Sequence, residues 1–112
     1  MKRALRAILI AGEEGKKAVL EGRQKVTIRE GHRDYTEGAV LLGCPKLNWA
    51  TMGNITSVRH TTLIEVTEDE LRADGYLDKG EMYADLKKYY PKLTYNSPVT
   101  VIRWDELRSK NP

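Results

Sequence analysis

Residues 22–35, GRQKVTIREGHRDY, set six charged side chains and a histidine around one short apolar alternation, Val26 and Ile28. Successive side chains of a strand point to opposite faces, so residues 25–30 read as a half-buried strand. Val26 and Ile28 share one face, and Lys25, Thr27 and Arg29 share the other. That polar face has two readings: a solvated strand surface, or the lining of a cleft.

Working outward, Leu5 to Ile10 is a short apolar strand closed by Gly12. Gly15, Ala18, Val19 and Gly22 recur at helical spacing behind Glu13 and Glu14, which suit the positive end of a helix dipole, so a short helix ending at Gly22 is expected. On the other side, residues 39–44 and 50–58 are strand candidates separated by the turn-forming Cys44-Pro45 and Leu47-Asn48. Val66-Thr67-Glu68-Asp69-Glu70-Leu71 is a capping box with a hydrophobic staple: Thr67 caps, Glu70 stands three residues on, and Val66 packs against Leu71. That helix should end at Gly75. Met82, Leu86, Tyr89 and Tyr90 form the stripe of another helix that Pro91 stops, and residues 98–104 alternate as a closing strand. Strand, helix, strands, two helices and a last strand predict an α+β fold: a mostly antiparallel sheet or barrel with helices packed at its ends.

Composition sets the outer bounds. The 112 residues suffice for one domain, 1–112, with its own core, and 40% hydrophobic with 31% charged residues excludes a disordered chain. Nineteen basic against sixteen acidic side chains leave a net charge of +3, too little for non-specific coating of DNA, so partners must be argued from local clusters. The lone Cys44 excludes an intramolecular disulfide, and no Cys/His set has zinc spacing, so no metal and no cofactor are expected. The apolar run from Ala7 to Ala11 is too short for a signal core or a membrane span. A cytoplasmic monomer or small homo-oligomer with no membrane partner is the expectation.

The frame GRQKVTIRE, followed in order by VRHTTLIEVT, ADGY, the Tyr90-Pro91 pair and VTVIRW, resembles the ASCH domain family over almost the whole chain. The resemblance implies a PUA-like β-barrel whose cleft binds RNA or nucleotides. Some bacterial members similar in length and in the GR-x-x-x-TIR frame hydrolyse the acetyl amide of N4-acetylcytidine, and another member is described as acting on RNA. Two alternatives follow: an RNA-, nucleoside- or nucleotide-binding module, or a small amidohydrolase or ribonuclease. A structural or partner-binding domain without a ligand is a third, weaker class.

The family lysine stands two residues after the glycine, a position held here by Gln24. Strand parity places Lys25, rather than Gln24, beside Thr27 and Arg29 in the cleft. The resemblance matches the family's catalytic threonine to Thr27 and its acidic residue to Asp74. The catalytic candidates are therefore Lys25 as base or nucleophile, Thr27 as positioning or relaying hydroxyl, and Asp74 as proton shuttle. Arg29 would stabilise an anion or bind phosphate, for which its planar fork is suited. Further ligand-binding candidates are Arg23 and Gln24, the loop residues His32, Arg33 and Tyr35, Trp49 as a stacking ring, and His60. Trp104 is expected in the core.

Overall fold

The computed structural model describes residues 7–106. Five strands, β1 (Ala7–Leu9), β2 (Val26–Glu30), β3 (Gly38–Cys44), β4 (Trp49–Thr62) and β5 (Pro98–Glu106), form one sheet in the order β1-β3-β4-β5-β2. All neighbours are antiparallel except β1 and β3, which run parallel with Ala7 opposite Leu41. Three α-helices complete the fold: α1 (Glu13–Leu20), α2 (Glu68–Ala73) and α3 (Lys79–Tyr89). The expected strand start at Leu5 lies outside the described residues. The sheet curls into a half-barrel, and its two edge strands, β1 and β2, approach closely enough for Arg29 Nη2 to donate to the Leu9 carbonyl at 2.5 Å. Curling needs a break in the long strand: β4 carries an irregularity between Ile55 and Ser57 that drops Thr56 out of register with β5, its hydroxyl donating to the Arg103 carbonyl at 3.4 Å.

Strand β5 is buried on both faces. Val99 and Val101 of β5, with Val26 and Ile28 of β2, pack under α2 and α3 against Leu71, Met82 and Leu86. Ile102 and Trp104 face the inside of the half-barrel with Ile8, Val40, Leu42 and Ile55, and α1 contributes Val19 to that second core. Thr27 stands opposite Ile102, and Arg29 opposite Thr100. The polar face of residues 25–30 therefore does not look out to bulk water from Thr27 onward. It lines the interior of the half-barrel, where Thr27 is only 2% exposed.

Local signals explain the helix boundaries. The Thr67 hydroxyl accepts from the Glu70 N–H while the Glu70 carboxylate accepts from the Thr67 N–H, a complete capping box, and Val66 and Leu71 lie buried in one cluster. The Asp78 side chain caps α3 by accepting from the Glu81 N–H. Tyr89 departs from its expected place in the buried stripe: Met82 and Leu86 are buried, but Tyr89 is 57% exposed, because the core stripe needs only the face turned to β2 and β5. No helix among the described residues is long and apolar enough to cross a membrane.

At Gly43 strands β3 and β4 approach too closely for a side chain. A Cβ there would lie 2.5 Å from the Trp49 carbonyl oxygen and 2.9 Å from Ala50 Cα, both in the backbone of β4. Gly43→Ala is expected to lower stability by about 1.5 kcal/mol through overpacking. Urea denaturation at neutral pH checks this, and an unchanged midpoint would show that β3 and β4 can separate without penalty.

Candidate functional site

A cavity of about 580 Å³ opens where the two edges of the half-barrel fail to close. Its walls come from β1, α1, β2 and the end of α2 with the adjoining face of α3. The residues that matter chemically are Gln24, Thr27 and Arg29 on the β2 side, Arg33 and Tyr35 from the loop after β2, and Asp74 with Tyr76 at the end of α2. Arg23, Glu14, Asp85, Tyr89 and Tyr90 complete the polar and aromatic lining.

The approach to β2 decides which side chain enters. Gly22 adopts φ 76°, a left-handed turn open to glycine, and the chain folds back so that the N–H groups of Arg23 and Gln24 both donate to the Ala18 carbonyl at the end of α1. Period-two geometry begins only at Val26. The parity expectation for residue 25 is therefore corrected: Lys25 is exposed and outside the cavity, whereas Gln24 lies half-buried within it. Gln24 Nε2 donates to the Val26 carbonyl at 3.0 Å and to Asp74 Oδ1 at 2.8 Å.

Asp74 follows α2 as its C-cap, and Gly75, with φ 102°, turns the chain away behind it. Burial drives its carboxyl up to about pKa 8, reinforced by Asp85; Arg29 and the Ile28 backbone amide pull the other way without prevailing. Tyr76 donates its hydroxyl to Asp85 Oδ2 at 2.7 Å, and burial, the neighbouring Asp74 and this hydrogen bond raise its pKa far above the ordinary tyrosine value.

Arg29 Nη1 donates to the Thr27 hydroxyl and to the Ile28 carbonyl, and Nη2 reaches Leu9 across the gap. All of these acceptors are neutral oxygens. Arg33 is placed by a buried hydroxyl: Thr100 Oγ1 donates to the Gly31 carbonyl at 2.6 Å and accepts from the Arg33 N–H at 2.8 Å. The Arg33 guanidinium lies 5.9 Å above the Tyr90 ring and Nε donates to the Glu30 carbonyl. Tyr35 contributes its ring to the wall while its hydroxyl donates to the Ala7 carbonyl; burial raises its pKa, opposed by Arg29 and Arg33. Arg23, at the rim, pairs with Glu21.

Of the expected site residues, Arg23, Gln24, Thr27, Arg29, Arg33, Tyr35 and Asp74 converge on this cavity. His32 and His60 do not line it; their rings stack on each other 4.8 Å apart, and their Nε2 atoms bond the Thr61 and Arg33 carbonyls, so they brace the loop that carries Arg33. Trp49 does not line the cavity either. It lines a separate groove of about 520 Å³ between β1, the end of β3 and the turn into β4, with its indole N–H buried and unpartnered among the described residues. Tyr76, Asp85, Tyr89 and Tyr90 also line the cavity, although the sequence gives them no site expectation. The segment ADGY held the only signal for Tyr76, by its adjacency to Asp74. No cluster among the described residues has the three or more His, Cys, Asp or Glu side chains that would hold a metal ion.

The backbone arrangement has known counterparts. A crystal structure of an ASCH domain from Lactobacillus crispatus JV V101 superposes with a TM-score of 0.72 at 12% identity, covering 91% of this chain and 79% of the other. This chain folds as an ASCH-like domain. A DUF984 protein from Enterococcus faecalis V583 superposes with a TM-score of 0.67 at 13% identity, covering all of this chain and 88% of the other. No family model and no curated protein sequence matches the chain. At these identities the ASCH-like architecture is what the chains share.

Proposed function

We propose that the cavity binds a nucleotide unit, free or within single-stranded RNA, with Arg29 and Arg33 on the phosphate side and Gln24 and Asp74 on the base. One observation carries this reading. Arg29 and Asp74 face the same cavity, close enough for Arg29 to oppose the rise in the Asp74 pKa, and no ion pair joins them among the described residues. A guanidinium and a carboxyl withdrawn from water usually pair, since each left alone is penalised. A ligand seated between them, with anionic oxygens toward Arg29 and donors toward Asp74, satisfies both. The volume falls in the range of about 300–1,000 Å³ usual for small-molecule sites, and the exposed Tyr89 ring beside Tyr90 offers a face for base stacking.

Hydrolysis draws less support. Amide cleavage needs an activated nucleophile and a proton donor for the leaving amine. Among the described residues the cavity lining contains Thr27 and Asp74 but no lysine, histidine or cysteine, and Lys25 is exposed outside it. Binding without turnover of N4-acetylcytidine is the expected outcome.

The test is titration of the folded protein with a short single-stranded RNA over a range of salt. Affinity is expected to fall as salt rises, and Arg29→Ala to weaken binding at least tenfold with a shallower salt dependence. Circular dichroism controls for folding, since Arg29 also bridges the sheet edges. Salt-independent binding, or unchanged affinity in folded Arg29→Ala, would remove the phosphate role.

A further inference from the structure

Resting on the nucleotide-binding reading, we propose that Thr100 and His60 are positioning residues for anion binding: they clamp the backbone of Arg33 from two strands and so hold its guanidinium at the cavity before a ligand arrives. The two arginines differ in what they have left to donate. A guanidinium carries five N–H groups. Arg29 commits Nη1 to Thr27 and Ile28, and Nη2 reaches Leu9 across the gap between the sheet edges. Arg33 commits only Nε, to the Glu30 carbonyl at 2.8 Å, and its Nη1 and Nη2 donate to nothing among the described residues. Its guanidinium lies over the ring of Tyr90, a fellow lining residue, and its charge, like that of Arg29, bears on Tyr35 in the cavity wall. Arg33 is therefore the arginine with a free fork for phosphate oxygens.

What holds it there is a pair of side chains. Arg29, Thr100 and His60 stand side by side across β2, β5 and β4. The loop after β2 is tied to this row: the Arg33 N–H donates to Thr100 Oγ1 at 2.8 Å, and the Arg33 carbonyl lies 2.9 Å from His60 Nε2. A carbonyl can only accept, so this network assigns the proton to Nε2. Thr100 gives its own hydrogen to the Gly31 carbonyl at 2.6 Å, which turns an oxygen lone pair toward Arg33, and it is 0% exposed, so water cannot take its place. His32 stacks on His60 at 4.8 Å and bonds the Thr61 carbonyl, which holds the His60 ring in turn. Both polar groups of the Arg33 backbone are thus fixed by side chains. Ordering a loop and a long side chain during binding costs affinity, and a loop already ordered avoids that cost.

The experiment is fluorescence-anisotropy titration of a labelled single-stranded RNA hexamer of mixed sequence with the full chain at one fixed salt concentration, each variant first checked for a cooperative thermal transition. Thr100→Val, which matches the shape of threonine without the hydroxyl, is expected to weaken binding about fivefold, and His60→Ala about threefold. Thr100→Ser restores the hydroxyl and is expected to stay within about twofold of wild type. Arg33→Ala is expected to weaken binding about tenfold, and in that background Thr100→Val and His60→Ala should cost almost nothing more, because they act through Arg33. Amide hydrogen exchange reads the clamp directly: the Arg33 N–H should be protected in wild type and Thr100→Ser and exchange fast in Thr100→Val. Should Thr100→Val fail to fold cooperatively, His60→Ala, at an exposed position, decides the matter. Affinity unchanged in both variants, or losses that persist in full without the Arg33 side chain, would overturn the positioning role and leave nucleotide binding standing. No binding of the hexamer by the wild-type protein would overturn the nucleotide reading and the positioning role with it, even with a protected Arg33 amide.

Discussion

Arg59→Met is expected to destabilise the fold by about 3 kcal/mol at pH 7, and adding Glu70→Gln is expected to restore most of that loss. Glu70 is only 5% exposed, and its carboxylate accepts from Arg59 Nε and Nη2, both at 2.8 Å, and from the Thr67 N–H at 2.9 Å. Burial pushes its pKa up, but the hydrogen bonds from Arg59 and Thr67 outweigh burial and leave it below the ordinary carboxylate value. A depressed folded pKa contributes stability above the unfolded value of about 4.5, and that stability is lost as the pH falls through the folded value. Without Arg59 the carboxylate stays under β4 with no cation. Arg59 is itself partly solvated, which places the effect at the low end for broken buried pairs. Glutamine has no charge to bury and keeps an oxygen for the Thr67 N–H, so the double variant retains the capping box. Urea denaturation of the four proteins measures the coupling, and the Arg59→Met deficit should shrink as the pH approaches 4. Losses that simply add in the double variant would show that Arg59 acts through packing and not through its charge.

That pair also shows which features were legible in the sequence. The capping box is a four-residue pattern whose physics is local, so Thr67 and Glu70 announced a helix start without knowledge of anything distant. Its ion-pair partner Arg59 lies across the fold on β4 and left no local trace. The strands of the sheet were recognisable from alternation and turn residues, but alternation says only that two faces differ. It cannot say that β5 is buried on both faces, or that the polar face of β2 turns inward. Gln24 and Lys25 were exchanged for a related reason: parity holds within a regular strand, and the turn at Gly22, tied to Ala18 by two backbone hydrogen bonds, interrupts it one residue before Val26. Tyr76, Asp85 and Tyr90 join the site only because α2 and α3 pack against β2, a long-range event with no counterpart in local spacing.

Asp74→Asn is expected to stabilise the protein by about 3 kcal/mol at pH 8 and to change its stability very little at pH 4. Burial is the main force raising the Asp74 pKa from 3.8 to about 8, so between these values the folded chain holds a proton that the unfolded chain releases. For a raised pKa the sign is fixed: the full stability is present below about pH 3.8 and is lost progressively as the pH rises toward 8. Each unit of displacement corresponds to about 1.4 kcal/mol; the carboxyl borders an open cavity, so about half of the full sum is a reasonable expectation. Asparagine matches the shape of the protonated acid, keeps an oxygen to accept from Gln24, and cannot ionise. The difference in unfolding free energy between variant and wild type, followed from pH 4 to pH 8, should therefore rise with pH, while titrations elsewhere cancel. A difference that stays flat, or a variant less stable at pH 8, would mean that Asp74 is ionised and structurally supported. A rising curve would instead mark it as a group held at a thermodynamic disadvantage. Such disadvantages concentrate where a side chain is retained for a ligand and not for the fold. A ligand that donates hydrogen bonds to Asp74 favours its ionised form, so saturating amount of such a ligand should lower the pH range over which the stability difference develops. That displacement would tie the strained carboxyl directly to binding in the cavity.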